Sequence, residues 1–150
     1  MKKMKFSMKA LMAMLLFCLP LAMTSCGSDD DGDNSGPKKY EYSWTLDDAS
    51  SGSTTAEQQA NLAEQAQVNA KLAQVIVNSG TGNGVLANAT TQTFSFTGTK
   101  SADEYDNMVK SAFYSFKSQI MSMTFNNLPS STKVTIKRGG TKVVSEKIFN

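Results

Sequence analysis

The stretch between Ser101 and Met123 constrains the fold more than any other part of this sequence. Its apolar side chains recur at helical spacing and form one broad face. They are Tyr105, Met108, Val109, Ala112, Phe113, Phe116, Ile120 and Met123. A capping box at Ser101 and Glu104 predicts where the helix begins, and Asn126-Asn127-Leu128-Pro129 predicts where it ends. Because so broad an apolar face has to be buried against another element, the segment predicts a layered domain.

A second helix is predicted earlier in the chain. Thr54 and Glu57 form a capping box, and the Ala-, Gln- and Leu-rich sequence favours a helix from about Thr55 to Asn78. Its apolar stripe consists of Leu62, Val68, Leu72, Val75 and Ile76. Gly80 suits the left-handed position that ends many helices.

Two segments alternate in the manner of β-strands. The first, Tyr40–Leu46, places four apolar side chains on one face, namely Tyr40, Tyr42, Trp44 and Leu46. The second, Thr90–Thr97, directs Phe94 and Phe96 inward and the hydroxyls of Thr93, Ser95 and Thr97 outward.

The end of the chain predicts a hairpin, Lys133–Arg138 and Thr141–Phe149, around the two-residue turn Gly139-Gly140. A tight turn pairs Ile136 with Val143 but puts Val144 and Ile148 on the other face. A bulge, or burial on both faces, would reconcile the pattern.

The predicted element order is therefore β-α-β-α-β-β. This order indicates a single α+β domain of two layers over residues 40–150, with two helices packed on one face of a small sheet.

The first 25 residues have the three parts of a secretory signal. Met1–Lys9 is basic, Ala10–Met23 is an apolar run of 14 residues, and small side chains precede Cys26. The alternative is a membrane helix that is never removed, but a run of 14 is too short to span roughly 30 Å of hydrocarbon.

Met23-Thr24-Ser25-Cys26 resembles the lipobox of bacterial lipoproteins, with Met23 where leucine is usual. The resemblance implies that residues 1–25 are cleaved and that Cys26 carries the lipid. Several acyl chains would then hold the protein on a membrane.

The residues after Cys26 resemble the acidic export signal of Bacteroidota lipoproteins, which directs them to the outer face of the outer membrane. The residues that carry the resemblance are Ser28, Asp29, Asp30 and Asp31. We therefore expect a lipid-anchored outer-membrane protein that faces the cell exterior. The alternative is that residues 26–39 are only a solvated tether, since Gly, Ser and Asp bury too little apolar surface to fold.

Charge gives no indication of a nucleic-acid partner. The net charge of the whole chain is +2, but Lys2, Lys3, Lys5 and Lys9 lie in the export segment. From Tyr40 onward nine acidic and nine basic side chains balance.

Catalysis is not expected, because the chain has no histidine. Cys18 lies in the export segment and Cys26 is assigned to lipid, so the mature domain has no free thiol either. Catalysis by a Ser-His-Asp or Cys-His arrangement is therefore excluded, and so are most zinc, copper and haem sites. We expect no cofactor and no metal, since the run Asp29–Asp33 lacks the spacing of a calcium loop. A carboxylate-dependent hydrolase would have to use Asp47, Asp48, Asp103, Glu104 or Asp106. Their places at a loop start and a helix start predict ordinary acidic titration.

Two surfaces are candidates for binding. The strand aromatics are either core or a platform for glycan rings or peptide. The hairpin lysines and arginine either guard a sheet edge or form a docking patch for an anionic partner, with Lys137, Arg138, Lys142 and Lys147 as the candidates.

We therefore expect a non-enzymatic interaction or structural module of the cell envelope that binds an envelope protein or a glycan. An inhibitor or immunity-type lipoprotein is the second hypothesis, and a small hydrolase is the third.

Overall fold

The computed structural model describes residues 36–149, and its elements follow the order β-α-β-β-α-β-β. They are β1 (Lys38–Asp47), α1 (Thr55–Ser79), β2 (Leu86–Asn88), β3 (Thr93–Gly98), α2 (Ala102–Ile120), β4 (Lys133–Arg138) and β5 (Thr141–Lys147). The predictions for the export segment, Cys26 and the acidic run lie outside the described residues.

The five strands form one antiparallel sheet in the order β2-β3-β1-β4-β5. Both helices cover the same face of the sheet. Tyr42 and Trp44 are two residues apart on β1, so their side chains point to the same side, and each contacts a different helix. The Tyr42 hydroxyl donates to Asp106 on α2, and the Trp44 ring N–H donates to Asn69 on α1. The predicted α+β class and its two-layer arrangement are confirmed.

The predicted element order omitted β2, and the predicted strand from Thr90 begins three residues too early. Asn88 causes both differences, because its side-chain oxygen accepts the backbone N–H groups of Thr90 and Thr91. This turn, completed by Gln92 at φ +53°, separates the short β2 from β3.

Aromatic rings fill the space between the sheet and the helices. Tyr42 stacks on Phe94 with ring centroids 4.7 Å apart, and Phe96 stacks on Tyr105 at 5.0 Å. Phe113 and Phe116 of α2 are fully buried. The aromatic side chains of the strands thus belong to the core. The helices cover them, whereas a platform for glycan rings would need them exposed.

The capping box of α1 is confirmed, but its inward face differs from the prediction. Leu62 is 62% exposed, whereas the polar residues Asn61 and Glu64 are buried. The left-handed assignment of Gly80 is also wrong, since its φ is −90°. Glycine is needed there for close packing: a Cβ would lie 2.7 Å from both the Phe96 ring and the Val85 side chain.

The capping box of α2 is confirmed as well, yet the helix ends at Ile120, several residues before the predicted stop. Tight turns follow, in which Ser122 donates its backbone N–H to Gln119 and Met123 donates to Ile120. Met123 therefore lies beyond the helix and is 37% exposed. Within residues 36–149, neither helix is both long and apolar enough to cross a membrane.

A bulge settles the register of the hairpin. Ile136 pairs with Val144, whereas Lys137 pairs with Lys142, so Val143 is the extra residue. The bulge brings Val144 and Ile148 to the buried face, which the tight-turn register could not do.

Candidate functional site

The candidate site is the face of the sheet that neither helix covers. Residues that alternate with the buried aromatics of β1 point to this side, and their partners on the other strands share it. The open face, as we call it, consists of Lys39, Glu41, Ser43, Thr45 and Asp47 of β1, Leu86 and Asn88 of β2, Thr93, Ser95 and Thr97 of β3, Lys133, Thr135 and Lys137 of β4, and Lys142, Ser145 and Lys147 of β5.

Two pairs of lysines stand on the β4–β5 side of the open face. Lys133 is opposite Lys147, and Lys137 is opposite Lys142. Residues paired on neighbouring strands lie about 5 Å apart, and the two pairs are on the order of 13 Å apart along β4. Between them, the hydroxyls of Thr135 and Ser145 are 3.2 Å apart. We call these three rungs the lysine ladder.

One carboxylate, Asp47, lies beside the ladder, at its Lys133 end. Asp47 is opposite Lys133 and accepts hydrogen bonds from the hydroxyls of Thr135 at 2.6 Å and Thr45 at 2.9 Å. The Thr135 bond, with smaller contributions from Thr45, Lys133 and Lys137, lowers the pKa of Asp47 although partial burial raises it. The other acid of the face, Glu41, pairs with Lys39 at 2.6 Å. The ion pairs within residues 36–149 include none of the ladder lysines.

Arg138, which the sequence hypothesis grouped with the lysines, lies on the opposite side of the sheet. It pairs with Tyr42, so its side chain points toward the helices. Its guanidinium donates to both carboxylate oxygens of Asp106, at 2.8 and 3.0 Å. Of the four predicted binding residues, Lys137, Lys142 and Lys147 share the open face and Arg138 does not.

The ion pair of Arg138 with Asp106 also engages the Tyr42 hydroxyl, which donates to Asp106 at 2.8 Å. Burial raises the pKa of Asp106, but the hydrogen bonds from Arg138 and Tyr42 outweigh it and the pKa is lowered. The pKa of Tyr42 is raised by burial and by its bond to Asp106. The three side chains hold α2 against β1 and β4.

The candidate catalytic carboxylates are distributed over two sides of the sheet. Asp47 is on the open face, whereas Asp103, Glu104 and Asp106 belong to α2. Hydrogen bonds from the backbone and side chain of Ser101 lower the pKa of Glu104. Asp48 occupies a left-handed turn position at φ +54°. Residues 36–149 contain no cluster of three or more acidic, histidine or cysteine side chains placed to hold a metal ion.

A buried polar cluster at the start of α1 was not predicted. Glu64 accepts backbone N–H groups from Asn126, Asn127 and Leu128 at 3.0, 2.8 and 2.9 Å. The Asn61 amide donates to the carbonyls of Ala49 and Asn127, both at 2.7 Å. The cluster ties two loops to the helix. The spacing of the residues could have revealed this cluster, because positions 61 and 64 lie on the same helix face as the apolar residues at 68, 72 and 75.

A shallow depression of about 340 Å³ adjoins this cluster and is lined by Ser50, Ser51, Gly52, Gln58, Asn61 and Leu62. The Ser51 hydroxyl donates to the Asn127 carbonyl, which fixes the wall of the depression.

The chain matches no protein-family model, no curated protein and no solved structure.

Proposed function

We propose that this protein is an outer-membrane lipoprotein, anchored through Cys26 and displayed at the cell surface, that binds an anionic envelope component through its open face. The observation that carries the proposal is the lysine ladder on an uncovered sheet face. Like charges directly opposite one another on neighbouring strands are destabilising. Two lysine pairs on one hairpin therefore cost the free domain stability, and an anionic partner would relieve that repulsion.

Protection of a sheet edge does not account for the whole ladder. Lysines on an edge strand discourage pairing with other chains, and this reason applies to Lys142 and Lys147 on β5. Lys133 and Lys137, however, belong to β4, which lies between β1 and β5. An interior strand has no free edge to protect, so its two lysines favour a binding role.

The anchor is proposed from the sequence. Nine residues, and so ten Cα–Cα steps, separate Cys26 from Gly36, where the described structure begins. An extended chain of that length reaches at most about 35 Å. A lipid on Cys26 would thus keep the open face close to the membrane and to the polymers that surround it.

The surroundings of the carboxylates support a binding role over a catalytic one. A general acid working at neutral pH needs a raised pKa. The pKa values of Asp47, Glu104 and Asp106 are lowered instead.

An inhibitor or immunity-type role is the second candidate, favoured by the loop between β1 and α1. Hydrogen bonds hold this loop to Asn61 and Asn127 in the free protein, and Leu62 stands exposed beside it. A loop fixed before binding loses little entropy on binding, as inhibitory loops require.

Site-directed photo-crosslinking in the native host tests the proposal. The crosslinker would replace Ser43 on the open face, the exposed Leu62 beside the loop between β1 and α1 or, as the control, Ser111 on the exposed side of α2. We expect an adduct from position 43 and none from position 111. An adduct from position 111 alone would place the partner on the helices, and one from Leu62 alone would favour the inhibitor.

Surface display has its own test. Replacing Asp29, Asp30 and Asp31 with alanine should preserve the lipid and abolish digestion by protease added to whole cells. Unchanged digestion would mean that the acidic run is only a tether.

A further inference from the structure

We infer that the anionic partner is an acidic polysaccharide that lies along the lysine ladder, an inference that rests on the proposed function. The ladder presents positive charge at two places and hydroxyl groups between them. A linear polymer with carboxylate groups at regular intervals and sugar hydroxyls between them has the complementary pattern.

Charge spacing is the first argument. The pairs Lys133–Lys147 and Lys137–Lys142 lie on the order of 13 Å apart along the strand. A single small anion can contact one pair only. A chain that carries several anions engages both pairs at once, and linkage makes the second contact far more favourable than a separate binding event.

The hydroxyl row between the lysine pairs is the second argument. Thr45, Thr135 and Ser145 are aligned across β1, β4 and β5. Thr45 is exposed and Ser145 is half-buried, so both can contact a ligand. The Thr45 and Thr135 hydroxyls already donate to Asp47 and Ser145 is bonded to Thr135, so toward a sugar the oxygens of Thr45 and Ser145 act as acceptors of its hydroxyl protons.

The composition of the open face argues against other anionic partners. Protein interfaces depend on a few buried aromatic or aliphatic anchors, and single-stranded nucleic acids stack their bases on aromatic rings. The aromatic side chains of β1 and β3 point into the core. Among the exposed large apolar residues of the described chain, the strands contribute only Leu86, which lies on β2 at the far edge from the ladder.

A second copy of this chain is an unsuitable occupant. Two open faces packed together would oppose lysines to lysines, and juxtaposed like charges suppress association. The open face carries five lysines and only two carboxylates, one of which already pairs with Lys39.

The test is affinity electrophoresis of the full chain, in neutral detergent, through gels that contain polygalacturonate, polyglutamate or neutral dextran. We compare K137Q/K142Q, which removes one rung of the ladder, with K71Q/K110Q, which removes the same charge from the helices. We expect polygalacturonate to retard the protein. K137Q/K142Q should weaken binding by about tenfold or more, and K71Q/K110Q by less than about twofold, because lysines on the other side of the sheet are screened from the site. K137R/K142R, which keeps the charge, should still bind.

The outcomes separate this inference from the function on which it rests. Equal losses from the two glutamine variants would show attraction to net charge and overturn the ladder as the site. Stronger retardation by polyglutamate than by polygalacturonate would identify an acidic protein and overturn the polysaccharide alone. Absence of polyanion binding, together with a crosslink from position 43, would overturn the polysaccharide and leave the open face in use. Absence of both would overturn the proposed function as well.

Discussion

The carboxylate of Glu64 accepts the backbone N–H of Leu128 at 2.9 Å, across 64 positions of sequence. The same carboxylate accepts two more backbone N–H groups and the Asn127 amide, so it satisfies four donors of one loop. Since only 9% of Glu64 is exposed, water could not replace these bonds. Glu64 is thus the attachment point between α1 and the connection from α2 to β4.

We predict that Glu64→Ala lowers the free energy of unfolding by about 3 kcal/mol, because buried donors lose a charged acceptor. Glu64→Gln should lower the free energy of unfolding by less. Its amide oxygen still accepts hydrogen bonds from the loop, and only the bonds to the oxygen that NH₂ replaces are lost. Urea denaturation measures both, with the exposed Gln67→Ala of the same helix as the control. If Glu64→Ala lowers the free energy of unfolding no more than the control does, the loop keeps its structure without hydrogen bonds to Glu64.

The pH dependence of stability follows from the same residue. Burial raises the pKa of Glu64, but the loop N–H groups outweigh it and bring the pKa below its ordinary 4.5. A lowered pKa contributes stability above the unfolded-state value, and this contribution is lost as the pH falls through the folded-state value. Wild type should therefore lose more stability than Glu64→Gln between about pH 5 and pH 2. Parallel curves for the two proteins would contradict this assignment.

Arg138 and Lys137 are neighbours in sequence on opposite sides of the sheet, and mutation can separate the roles proposed for them. Arg138→Gln leaves the partly buried Asp106 carboxylate without its cation, and we expect a lower melting temperature than that of the wild type. Arg138→Lys should recover only part, because an ammonium cannot reproduce the two-pronged contact. Neither change should alter retention by polygalacturonate, whereas Lys137→Gln should reduce retention at nearly unchanged stability. The reverse result would place Arg138 on the binding surface.

Gly80 and Gly82 test packing against backbone strain. Gly80→Ala has no conformational difficulty at φ −90°, but its Cβ meets Phe96 and Val85. Gly82→Ala has open space but a φ of +82°. We predict a loss of about 2–3 kcal/mol for Gly80→Ala through overpacking, against about 1 kcal/mol for Gly82→Ala through strain. Equal decreases in melting temperature for the two variants would mean that the core near Phe96 rearranges to accommodate the added methyl group.

The elements that the sequence predicts correctly are those in which period and capping agree. The strand at Tyr40 and the helices at Thr54 and Ser101 have one dominant pattern and a defined start. The errors occur where polar side chains decide the structure. Asn88 forms a turn inside an apparent strand, and Glu64 belongs to a buried face although its charge suggests solvent.

The candidate site could be predicted in part for a related reason. Alternation places Lys137 and Arg138 on opposite sides of any regular strand, so the hairpin alone could have separated them. The bulge at Val143 decided only the far half of β5, where it brings Ser145 and Lys147, in place of Val144 and Glu146, opposite Thr135 and Lys133. A bulge changes the face of every residue that follows it.

The lipid anchor at Cys26 is the last prediction, and it decides where the open face operates. If Cys26 is the only lipid acceptor, Cys26→Ser should yield a precursor that retains residues 1–25 and incorporates no labelled fatty acid. Cys18→Ser is the matched control, since the same change within the export segment should leave processing intact. Intact-mass analysis of the membrane fraction distinguishes the two variants. A Cys26→Ser protein that is still cleaved and released in soluble form would indicate an ordinary secretory signal, and the domain would then meet its partner without a membrane tether.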